Sequence, residues 1–119
     1  MEAMKILAHY TVYDGQVFHL NVFTFKNGEI THAPYEKETP DTLFIEGILL
    51  VIPSIEEHQI SALDRQICLM KNSSIEDIAK ALANMSQQFS PVTSGNPAIA
   101  LFQAKYPFTR LARIPRFQP

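Results

Sequence analysis

Residues 12 to 30, VYDGQVFHLNVFTFKNGEI, decide how the fold is read. Two turn dipeptides, Asp14-Gly15 and Asn27-Gly28, bound a run of apolar and β-prone residues. Type I′ hairpin turns need positive φ at both central residues, which Gly accepts freely and Asn or Asp tolerates. Each dipeptide therefore predicts a two-residue hairpin, and the pairings follow from the turns. Tyr13 should oppose Gln16, Val12 oppose Val17 and Tyr10 oppose His19; beyond the second turn, Phe25 should oppose Ile30 and Phe23 oppose His32.

Working outward, this register predicts a three-stranded antiparallel meander. One face would carry Ile6, Ala8, Tyr10, Val12, Val17, His19, Asn21, Phe23, Phe25, Ile30 and His32. The other would carry Leu7, His9, Thr11, Tyr13, Phe18, Leu20, Val22, Thr24 and Thr31. Neither face is cleanly polar, so both should be at least partly covered, by helices on one side and by a partner chain on the other. After a polar loop at residues 34–41, Thr42 to Ile52 supplies a fourth strand, with Gly47 marking a bulge or a close backbone approach.

At Pro53-Ser54 the pattern changes to helical. Ser54 with Glu57 forms a capping box, and Ile60, Leu63, Ile67 and Met70 make an apolar stripe to about Lys71. A second capped helix follows Asn72-Ser73-Ser74, with Ile75, Ile78, Ala79, Leu82 and Met85 at helical spacing. Asn96 with Pro97 at the first helical position predicts a short third helix to about Lys105. The last stretch, from residue 107, reads equally as an edge strand at Thr109 to Ile114 or as a tail. The expected fold class is α+β: an antiparallel β-meander of about four strands, then a helical hairpin and a short third helix. It forms one domain over 1–119, with 4–53 the meander, 54–106 helical and 107–119 the edge strand or tail.

Composition narrows the function classes. Ten Lys and Arg against twelve Asp and Glu leave a formal charge of −2, so the whole molecule exerts no pull on nucleic acid or anionic membrane. The longest apolar run, Ile48 to Ile52, is far shorter than the roughly 20 residues of a membrane span. The first ten residues lack a signal peptide's apolar region and cleavage site, and the single cysteine, Cys68, fits a reducing compartment. A cytoplasmic protein is expected.

The four histidines test a metal site. In the predicted register His9 and His19 fall on opposite faces, and His19 and His32 share a face roughly 13 Å apart at about 3.3 Å per residue. That is too far for one ion, whose ligand nitrogens all lie within about 2.1 Å of it. No metal and no cofactor are expected. Glu56, Glu57, Glu76 and Asp77 sit in first helical turns, where the helix dipole accounts for them without catalysis. The chain lacks GxSxG, Walker and HExxH motifs and has only four glycines, so catalytic residues are not assigned. The C-terminus is locally basic, with Arg110, Arg113 and Arg116 among aromatics, a candidate strip for an anion or a partner.

Part of the chain resembles the amidohydrolase superfamily, whose members open with a small composite β-sandwich. The residues that carry the resemblance are Asp14-Gly15, Asn27-Gly28-Glu29-Ile30, Ile48 to Pro53, and VTSGNPAIALF at 92–102, which is similar to that family's helix start after its catalytic barrel. The family's His-x-His metal pair is missing after Pro53, where Ser54 to Ser61 hold only His58. A (β/α)₈ barrel also takes about 250 residues. The resemblance thus implies a sandwich-like fold without the catalytic site.

Taken together these readings favour a small non-catalytic domain that acts by protein–protein association, as a homo-oligomer or a companion subunit, through the sheet face the helices leave open. The alternative is a small-ligand binder or enzyme with a pocket between sheet and helices, using Tyr10, His19 and His32. A weaker alternative is anion or nucleic-acid binding through the basic C-terminus.

Overall fold

The structure is a computed structural model that describes residues 4–26, 29–37, 41–53, 57–87, 99–105 and 111–114. A mixed β-sheet dominates it. Strands β1 (Met4–Tyr13), β2 (Gln16–His19), β3 (Asn21–Lys26), β4 (Glu29–Pro34), β5 (Thr42–Pro53), β6 (Ile99–Lys105) and β7 (Ala112–Arg113) run in the order β4-β3-β1-β5-β6-β7, with β2 paired to β1. Helices α1 (Glu57–Leu69) and α2 (Ile75–Ser86) lie between β5 and β6 in the chain.

The hairpin register follows the turn chemistry. Asp14 and Gly15 take φ of 54° and 71°, and Tyr13 pairs with Gln16, Val12 with Val17 and Tyr10 with His19. Phe23 pairs with His32 and Phe25 with Ile30 across β3 and β4. The turn residues Asn27 and Gly28 lie outside the described residues, as does the Ser54 cap.

The meander with a third helix is not what forms. β5 joins the sheet beside β1 and parallel to it, with Ile6 opposite Leu43 and Val12 opposite Leu50, so the connection after β4 carries the chain to the far side of β1. In the segment expected as a third helix, Asn96 to Ala98 lie outside the described residues and the rest is β6, antiparallel to β5 from Gly47 opposite Lys105 to Pro53 opposite Ile99. The cause is the long central strand. β5 is buried from Gly47 to Ile52, and its second edge must find backbone partners, which only another strand supplies. A short apolar run such as IALF carries no periodicity able to separate helix from strand. Of the expected C-terminal edge strand, Thr109 and Arg110 lie outside the described residues, and β7 pairs Phe102 with Arg113 and Gln103 with Ala112.

The two faces also differ from simple alternation, because the chain crosses between them at His9 and Leu20. Ile6, Ala8, Phe23 and Phe25 share one buried cluster with Ile45, Leu49, Val51 and Leu101, whereas Val12 joins Ile48, Leu50 and Ile52 under the helices. Leu20 has φ 52°; its N–H donates to the His9 carbonyl at 3.0 Å, while its own carbonyl accepts from Tyr35 N–H at 2.9 Å. In a regular strand one residue's N–H and C=O face the same neighbour. At Leu20 they serve opposite neighbours, which rotates the strand by half a turn. β1 makes the matching change where Ala8 pairs with Ile45 but Tyr10 pairs with Ile48, leaving Glu46 and Gly47 as the bulge in β5. Gly47 fits the bulge expected of it, since a Cβ there would collide with the Ala104 carbonyl.

Both helices cover the same sheet face, which we call the helix face. Leu63 and Ile67 of α1 and Ile78, Ala79 and Leu82 of α2 close over Val12, Ile48, Leu50 and Ile52. Ser74 caps α2 by accepting from Asp77 N–H at 3.2 Å. Two long-range bonds fix the layers. Gln87 at the end of α2 donates to the Gly15 carbonyl at 3.3 Å, and Leu111 N–H donates to the Asp64 carboxylate of α1. No helix among the described residues is long and apolar enough to cross a membrane.

Candidate functional site: the open half of the helix face

The helices cover only the half of their face nearest the C-terminal ends of β1 and β5. On the other half, the strand register lines up two rows of side chains across the sheet. One row runs Thr42, Lys5, Thr24, Thr31 over β5, β1, β3 and β4; the next runs Phe44, Leu7, Val22, Ala33. A polar row with a cation thus lies beside an apolar row. Adjacent members are cross-strand neighbours, close enough for one ligand or one partner segment to touch both rows.

Phe44 stands out at 52% exposed, with Leu43 beside it at 47%. A phenylalanine on a sheet face gains stability only when covered, at about 25 cal/mol per Å² of apolar surface removed from water. His9 gives Phe44 partial cover, its ring 5.4 Å away in a T-shaped contact. Towards β4 the two rows floor a groove of about 530 Å³, which Glu36 and Lys37 on the connection after β4 also line. The polar side chains on its lining are two lysine amines, two threonine hydroxyls and one carboxylate, a set that favours an anion, and His32 of β4 borders the groove as well. Neither lysine has an ion-pair partner among the described residues.

The other sheet face holds an aromatic cluster at its β2–β4 end. The His32 ring stacks on Phe23 at 4.8 Å and 18°, and meets Phe18 at 4.6 Å and Tyr13 at 6.2 Å. Its Nδ1 lies 3.3 Å from Asn21 Oδ1, and Asn21 Nδ2 donates to the His19 carbonyl at 3.1 Å. Burial raises the Tyr13 phenol above its ordinary pKa, and the neighbouring Asp14 carboxylate adds to the effect.

These placements rearrange the candidate residues. Tyr10 and His19 do meet, with ring centroids 4.8 Å apart, and Tyr10 donates to Glu76 of α2 at 3.4 Å. His32 is on the opposite face, and His9 shares the helix face with His19; both reverse the expected sides because of the crossing at Leu20. The space between sheet and helices is packed by the core under α1 and α2, and the groove lies beyond it. Among the described residues no three His, Cys, Asp or Glu side chains gather as a metal site. Arg113 reaches the sheet edge through its backbone in β7, whereas Arg110 and Arg116 lie outside the described residues. Lys5 and Phe44 were missed as site residues. The hairpin register already aligned Thr24 with Thr31; only the parallel pairing of β5 with β1 completes the rows.

No protein-family model matches the chain, and neither a curated protein nor a solved structure matches it.

Proposed function

We propose that the chain acts by protein–protein association, with the open half of the helix face as its contact surface, as a homo-oligomer or a companion subunit within a reducing compartment. The observation that carries this reading is Phe44, half exposed at the end of a row whose next member, Leu7, is buried, on the half of the sheet face outside the cluster under the helices. Aromatic side chains in such settings are the anchors of interfaces, and the polar row beside them supplies direction. Hydroxyl-radical labelling of Phe44 in cells and in dilute purified protein tests it. Strong protection in cells relative to dilution is expected, and equal labelling in both would remove the reading.

A second reading, a small anionic ligand in the groove, is favoured by Lys5, Lys37, Thr24 and Thr31 converging on one cavity. Under it, Lys5→Ala lowers affinity for a small carboxylate bound by the purified protein while leaving the fold unchanged.

A further inference from the structure

β4 is the outer strand of the sheet, and its residues are exposed except for Ile30, which is half-buried. Which of its backbone groups face outward follows from one residue. Pro34 pairs with Asn21 and has no N–H, so this pair is a non-hydrogen-bonded one. The Tyr35 N–H bond to the Leu20 carbonyl, one step outside the pair, is the bond that such a pair requires. Alternation along the ladder then makes Val22–Ala33, Thr24–Thr31 and Lys26–Glu29 the hydrogen-bonded pairs. Ile30, His32 and Pro34 therefore turn their backbone groups to the outer margin, where no strand among the described residues pairs with the N–H groups of Ile30 and His32.

We infer that the margin of β4 pairs with β4 of a second copy, antiparallel about a two-fold axis through Thr31. This goes beyond the reading of the open face: it needs association but not Phe44. Placing Ile30 opposite His32 of the second copy lets each outward N–H meet an outward carbonyl, in both directions, and leaves Pro34 beyond the bonded stretch. The side chains agree with this register. Thr31 faces Thr31 of the second copy, a favourable cross-strand pair, and Glu29 faces Ala33, so no like charges are opposed. Ile30 of the second copy lies beside the His32 ring, whose inner face already stacks on Phe23. The alternative register, His32 opposite His32, pairs Ile30 with Pro34 and loses a bond at each proline. β4 has no lysine along its length, the residue that most often keeps an edge from pairing. Pairing here joins the two open faces into one continuous surface, with their polar rows in line through Thr31.

The test is a charge swap at the axis. Thr31 is exposed, so Thr31→Lys and Thr31→Glu should leave the monomer folded. By sedimentation equilibrium the native chain should dimerise reversibly, and each variant alone should bind itself more weakly by at least about tenfold. An equimolar mixture of the two variants should restore dimers. A native chain that stays monomeric at millimolar concentration overturns the inference, as do variants that self-associate like the native chain or a mixture that does not recover. His32→Pro is the second probe: it removes an outward donor and no ladder bond, and should abolish the dimer while circular dichroism stays native. Phe44 protected in cells alongside a monomeric purified chain would refute this pairing and leave the face reading standing. Unprotected Phe44 alongside a dimer would do the reverse.

Discussion

Gly47 occupies the point where β5 gains a residue against β1 and where β6 passes closest, so its missing side chain is part of the fold. Gly47→Ala forces the added Cβ against the Ala104 carbonyl, and β6 can give way only by breaking its ladder. A loss of about 2–3 kcal/mol is expected in urea unfolding, and a change below 0.5 kcal/mol would show that the bulge is placed wrongly. An isolated glycine inside an apolar strand was a readable mark of this bulge. Leu20 was not readable. A leucine at positive φ leaves no trace in sequence, because its cost is met by the surrounding hydrogen bonds to His9 and Tyr35. Tyr13 offers a test by pH. Its pKa is raised in the folded chain above the ordinary 10.0, so the folded state holds that proton longer than the unfolded state does. The associated stability is complete below pH 10.0 and is lost as pH rises through the folded value. Stability above pH 10.0 should therefore fall more steeply for the native chain than for Tyr13→Phe, and parallel curves would contradict the shift.

At the scale of elements, local signals decided the hairpins and α2, while tertiary pairing decided the rest. The cap of α2 is local: Ser74 satisfies the Asp77 N–H, and Glu76 and Asp77 favour the positive helix end. Ser74→Ala should cost about 1 kcal/mol by thermal or chemical unfolding, and an unchanged midpoint would mean the bond contributes nothing. β6 shows the opposite case. Asn96-Pro97 resembles a helix start, yet Leu101, Phe102 and Ala104 are buried on both faces of a strand, because β5 needs a partner along its whole buried length. The parallel pairing of β1 with β5 was invisible for a similar reason. Hairpin turns announce antiparallel neighbours, whereas a parallel neighbour is chosen by packing between segments far apart in the chain.

On the scale of the whole molecule, the half-turn at His9 and Leu20 divides the sheet into regions with different neighbours. Past the turn, even-numbered residues of β1 go under the helices; before it, Lys5 and Leu7 come to that face outside the cluster that α1 and α2 cover, Leu7 buried and Lys5 half-buried. The open face, the groove and the outer margin of β4 therefore lie together at one end of the sheet. The mixed character of both strand faces pointed to a contact surface on the face opposite the helices, whereas the uncovered rows that carry the present proposal lie on the helix face itself. The composition of those rows was not legible, since the face switch and the parallel strand choose which residues reach them. Amide hydrogen exchange followed residue by residue over a range of protein concentrations tests this account most directly. Thr31 and Ala33 should be protected at every concentration, because their amides bond to β3, whereas Ile30 and His32 should exchange rapidly when dilute and become protected as the chain is concentrated. Ile30 and His32 exchanging at one fast rate throughout would contradict the pairing of two chains at β4.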